Sequence, residues 1–191
     1  MPNWCYTTYK LTGPKESIEP FYEILKELQD MKEPYVENGF GNLWLGCIVN
    51  RLGGDWNKIS CRGDVTYYDI NDDGTELTMD CEIAWAESPE FRHFLEEKLP
   101  DVRIVHRSEE PGLAGYWTND PDCEEYYLDS DTEVDIEPMW YDSLEEVAAV
   151  LNNGGIKCEP TKESIYAAID KYEEENPDSF LTLREVEFID D

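Results

Sequence analysis

A chain of 191 residues suits one domain, or one domain with an extension, and is long enough to build a core. Six Trp, twelve Tyr and six Phe argue against disorder, because disordered acidic chains lack the aromatic residues a core requires. A net charge of -30 keeps such a chain in solution and repels it from nucleic acid and anionic membranes, so direct binding to either is excluded.

In chain order, Trp4 to Leu11 is rich in β-branched and aromatic residues and stops at Gly13-Pro14, which predicts a first strand. A helix follows, with Ser17 as N-cap, Pro20 in its first turn, and Ile18, Phe21, Leu25, Leu28 and Met31 at helical spacing. The apolar piece Leu43 to Val49 fits a strand or a buried turn of helix equally well. Val65 to Tyr68 and Leu77 to Met79 flank Asn71-Asp72-Asp73-Gly74, the pattern of a tight hairpin.

Ser88-Pro89 opens a second helix with Phe91, Phe94, Leu95 and Leu99 on one face, Leu99-Pro100 ends it, and Val102 to Val105 reads as a strand. This order predicts an α+β fold: a ferredoxin-like antiparallel sheet with two helices on one face. Short strands near Leu113 to Trp117 and Glu125 to Leu128 extend it. Ser143-Leu144-Glu145-Glu146 has capping-box form, Thr161 starts a further helix, and Phe180 to Ile189 reads as a closing strand. The expected organisation is a domain over 1–138 and a docked acidic helix-helix-strand extension over 139–191.

The opening Met1-Pro2-Asn3-Trp4-Cys5, followed by a strand and Gly13, resembles the YubB-like family of phage and plasmid proteins. Ala84-Trp85 with Pro89, then Leu99-Pro100, then Glu110-Pro111-Gly112 with Gly115, agree with that family in order, so the resemblance covers roughly residues 1–118. It implies a ferredoxin-like fold and a mobile genetic element, and it brings no established activity or catalytic residues. Ala86-Glu87-Ser88-Pro89 departs from the family's usual Ser-Pro-Pro run, and the acidic C-terminal third lies outside the match.

Catalytic templates are missing: there is no GxSxG, P-loop, HExxH or dinucleotide fingerprint, so a binding protein is expected rather than an enzyme. His93 and His106 each lie near carboxylates, and their plainer readings are a surface helical His and a strand-end His. Cys5, Cys47, Cys61, Cys81, Cys123 and Cys158 are widely spaced with no CxxC, as reduced thiols of a cytoplasmic protein would be. The N-terminus has no signal-peptide pattern, and no run of about 18 apolar residues occurs.

Two acidic patterns remain. Asp69, Asn71, Asp73 and Asp80 nearly match calcium-loop spacing, with Gly74 at the sharp turn; Asp80 stands where a bidentate Glu is usual, and the flanks read as strands, so a polar hairpin tip explains the same residues. Calcium is the one cofactor this pattern suggests. The other lies late in the chain, where residues 109–191 hold 25 acids against 4 bases. Asp120, Asp122, Glu124, Glu125, Asp129, Asp131, Glu133, Asp135 and Glu137 fall within 18 residues that contain no Lys or Arg.

The last five of these acids alternate. On an extended strand they would point one way at about 6.7 Å intervals, a spacing comparable to successive phosphates. The expected role is an acidic binding protein of a mobile element, a nucleic-acid mimic or inhibitor whose partner is a basic host protein of the nucleic-acid-binding or defence kind. A regulatory or scaffolding module and a calcium-binding protein are the alternatives, and a solvated edge explains the same acids without a partner.

Overall fold

The first strand, β1 (Trp4–Thr12), alternates as its sequence implies: Cys5, Thr7, Tyr9 and Leu11 are buried, while Tyr6, Lys10 and Thr12 are exposed. In the computed structural model, residues 3–113, 115–132, 134 and 136–189 are described. The chain divides by compactness into two units, Met1–Leu113 and Ala114–Asp191.

In the first unit, α1 (Lys15–Gln29) buries Ile18, Phe21, Leu25 and Leu28. It starts before Ser17, because Pro14 at the cap has the extended backbone that launches a helix, with φ -60° and ψ 141°. Pro20 therefore lies inside the helix, where it cannot supply the usual donor to the Glu16 carbonyl. The ambiguous apolar piece is a helix, α2 (Leu45–Arg51), whose first five residues are all buried.

β2 (Gly63–Ile70) and β3 (Glu76–Ala84) form the expected hairpin. Gly74 sits at φ 74°, and the Asn71 side chain accepts the Thr75 and Glu76 amides at 2.9 and 3.1 Å. α3 (Pro89–Lys98) buries Phe91, Arg92, Phe94 and Leu95, and β4 (Arg103–Glu110) follows. The strand order is β2-β3-β1-β4, with every pairing antiparallel. Tyr9, Leu11, Leu77, Met79, Cys81, Ile83 and Ile104 form one sheet face, and α1, α2 and α3 all pack into the core on it.

The second unit contains β5 (Gly115–Thr118), β6 (Tyr126–Asp131), β7 (Met139–Tyr141), α4 (Leu144–Asn153), α5 (Lys162–Glu175) and β8 (Phe180–Phe188). Its strand order is β5-β8-β6-β7; β5 and β8 run parallel, and the other two pairings are antiparallel. Ser143 and Thr161 cap α4 and α5, accepting the amides of Glu146 and Ser164 at 3.4 and 3.3 Å. A separate core gathers Leu128, Ile136, Val147, Leu151, Ile165, Ile169, Leu181 and Leu183.

The expected ferredoxin-like sheet with two helices and a mainly helical extension is thus corrected. The protein is α+β, but its described residues form eight strands in mixed directions and five helices. Two features account for the difference. The short buried run after Leu43 adds a helix to the first unit, and the strands expected near 113–117, 125–128 and 180–189 join β7 in mixed directions, including a parallel pair that no local turn signal announces. Among the described residues, no helix is long and apolar enough to cross a membrane.

Candidate functional site

The acidic run begins in a turn. The Asp120 carbonyl accepts the Cys123 amide at 3.1 Å, and its side chain accepts the Asp122 amide at 3.3 Å. Asp122 and Glu125 are exposed, Asp120 and Glu124 half-buried, and the Glu125 carbonyl accepts the Val186 amide at 2.9 Å. The run then enters β6, where Asp129 reaches Arg184 at 3.3 Å and Asp131 is exposed.

The extended ladder stops there. Ser130 donates to the Ile136 carbonyl at 2.7 Å, Thr132 to the Val134 carbonyl at 3.0 Å, and Ile136 is buried in the core. The chain folds back to reach β7, so exposed Glu137 does not continue the line of Asp129 and Asp131. Glu133 and Asp135 lie outside the described residues. The described carboxylates, Asp120 to Asp131 and Glu137, share a segment without forming one straight row.

The four bases of this unit are already engaged. Lys162 pairs with Glu185 at 2.7 Å, Arg184 with Asp129 at 3.3 Å and Lys171 with Glu175 at 3.8 Å, while Lys157 donates to the Asn152 carbonyl at 2.8 Å. Against them stand 23 acids in residues 114–191. The field of the unit is therefore strongly negative, and its few cations are held locally.

The residues with calcium-loop spacing lie in and beside the β2–β3 hairpin. Asp69 lies on β2 opposite Thr78, the Asn71 oxygen is taken by two backbone amides, Asp73 is exposed in the turn, and Asp80 accepts the Thr8 hydroxyl at 2.7 Å. Among the described residues no group of three or more His, Cys, Asp or Glu is arranged to hold a metal ion.

Sequence reasoning missed a buried polar network in the first unit. Tyr9 donates to Glu87 at 2.8 Å, and the same Glu87 oxygen meets Arg92 Nε at 3.3 Å; Arg92 also reaches Glu96 at 3.5 Å. Nearby, the Ser108 hydroxyl lies 2.9 Å from both Thr7 Oγ1 and His106 Nδ1. Burial strips water from the Tyr9 phenolate and the Glu87 charge opposes it, so Tyr9 is held well above its ordinary pKa and remains a donor. His106 and Ser108 have the form of a base and a hydroxyl, but Ser108 is wholly buried and its hydroxyl is shared with Thr7. Strand alternation alone could have flagged Thr7, His106 and Ser108 as inward polar positions. Glu87 and Arg92 gave no such signal.

All six cysteines are free thiols, and all but Cys158 are buried. Burial pushes the Cys5 and Cys81 thiols up, and Cys61 up to about 12.

No protein-family model matches the sequence, and comparison with curated proteins finds no match. Among solved structures, the chain is similar to one described as the crystal structure of an unknown protein from Galdieria sulphuraria, with 15% identity, a TM-score of 0.28, and coverage of 96% of this chain and 98% of that one. A likeness at that score carries no argument about fold or function.

Proposed function

We propose that this protein is an acidic binding protein that docks on a basic partner through the carboxylates of its C-terminal unit, occupying a surface the partner uses for nucleic acid. The supporting observation is the charge balance of that unit: 23 acids face 4 bases, and each base is already engaged with a group of the unit itself. Such a field steers a cationic partner and speeds association. The resemblance of residues 1–118 to phage and plasmid proteins makes a host nucleic-acid-binding or defence protein the kind of partner expected. A regulatory or scaffolding module is the second reading, favoured by the exposed aromatic rings of the first unit, Tyr6 and Trp85 among them.

A charge-neutral variant tests this. Asp122→Asn, Glu125→Gln, Asp131→Asn and Glu137→Gln change four exposed carboxylates and leave the Asp129–Arg184 pair intact. A basic partner captured from host lysate should associate with this variant at least about ten-fold more slowly at low salt, while the thermal transition is unchanged or slightly raised. An association rate equal to the parent's would reject the reading.

A further inference from the structure

The sheet face of the first unit that points away from its core ends in a group of side chains that belong to neither hydrophobic core. Strand alternation places Trp4 and Tyr6 of β1 on that face. Tyr6 lies opposite Glu82 of β3, and Glu82 lies opposite Asp64 of β2, so two carboxylates stand side by side next to a tyrosine that is 49% exposed. Like charges directly opposite one another on a sheet are unfavourable. Neither Asp64 nor Glu82 forms an ion pair with Lys or Arg among the described residues; Lys10 on this face is held by Glu76 at 3.0 Å, Arg62 donates to Ser60 at 3.0 Å, and Arg107 stands opposite Thr8 in the next row.

Trp85 adjoins the same end, directly after Ala84, which is in register with Trp4. It has a positive φ of 78°, a conformation costly for a bulky side chain, and its amide is fixed by the Asn3 carbonyl at 2.8 Å. Its ring remains 53% exposed, so burial does not offset that cost.

We infer that this end of the open face docks an arginine-bearing segment of another protein, the guanidinium lying against the Tyr6 and Trp85 rings and donating to Glu82 and Asp64. Charge complementarity selects a cation, and the rings select arginine over lysine, because a planar guanidinium stacks on aromatic faces and donates in pairs to carboxylates. Burial, with the Glu82 charge adding to it, pushes the Asp64 carboxyl up, a shift that a bound cation would reverse. The surface is independent of the C-terminal carboxylates and extends beyond the function proposed for them.

The probe is the peptide acetyl-Gly-Arg-Gly-Arg-Gly-amide with its lysine counterpart, titrated into the full chain at physiological salt and followed by ¹H–¹⁵N NMR. Shifts should concentrate on the Trp85 indole N–H and on Tyr6 and Glu82, with the lysine peptide about three-fold or more weaker. Trp85→Gly and Glu82→Gln should each weaken arginine-peptide binding about ten-fold. Trp85→Gly also relieves the positive φ, so an unchanged or raised Tm shows that the loss is not misfolding. The four-site variant of the C-terminal unit should bind the peptide as the parent does. Shifts spread over the carboxylates of both units, equal binding of the two peptides, or a Trp85→Gly protein that binds like the parent would each overturn the inference. Loss of binding in the four-site variant alone would assign the peptide to the C-terminal unit, refuting this surface while leaving the proposed function standing.

Discussion

Glu87 and Arg92 show what a buried charge requires in this fold. Both are nearly inaccessible, and the Glu87 oxygen that meets Arg92 also accepts the Tyr9 hydroxyl. Removing one partner leaves the other desolvated, so Glu87→Leu should cost about 3 kcal/mol in urea denaturation. The double change with Arg92→Leu should recover part of that loss; full additivity of the two single changes would show that they act independently. The thiols make a second case. A pKa near 12 for Cys61 against an ordinary 9.0 lowers its thiolate fraction at pH 8 by about a thousand-fold. A thiol reagent should therefore modify half-buried Cys158 first, and all six thiols only after denaturation. The sign of the linkage follows: the folded value lies above the unfolded one, so stability is unaffected below pH 9 and is lost as pH rises from about 9 towards 12. Of the buried polar network, Thr7, His106 and Ser108 were legible only as inward polar positions, and Glu87 and Arg92 not at all, because the members run from Thr7 to Ser108 and meet only once the strands are in register.

At the scale of elements, the sequence was readable wherever a local rule decides the outcome. The β2–β3 hairpin follows from Asp73-Gly74, α4 and α5 from their Ser and Thr caps, and α3 from Pro89 at its start. Thr161→Ala should accordingly cost about 1 kcal/mol, read as a lower Tm. Where a local rule was absent, reading failed. α2 is buried on every side and shows no helical period, β7 has only three residues, and the parallel pairing of Tyr116 with Val186 joins residues far apart in the chain. The acidic run was legible as composition, while where its extended part ends was not. Its alternation makes one row only on an extended strand, and β6 ends at Asp131, where Ser130 and Thr132 donate to the Ile136 and Val134 carbonyls.

For the whole molecule, charge outweighs every other surface property. A net charge of -30 on 191 residues opposes the folded state by self-repulsion, and it gives the surface a long-range attraction for cations that salt weakens. Added monovalent salt should raise the thermal transition and slow the capture of any basic partner, two opposite trends from one cause. The central claim is that the C-terminal carboxylates occupy a site made for nucleic acid, and displacement measures it most directly. With a captured partner bound to the immobilised protein, duplex DNA or RNA is added at fixed salt and the released partner is quantified. The account predicts that nucleic acid displaces the partner in a concentration-dependent way, and that the variant Asp122→Asn, Glu125→Gln, Asp131→Asn, Glu137→Gln is displaced at lower concentrations than the parent. A complex that nucleic acid does not displace, and that forms equally well with the variant, would contradict it.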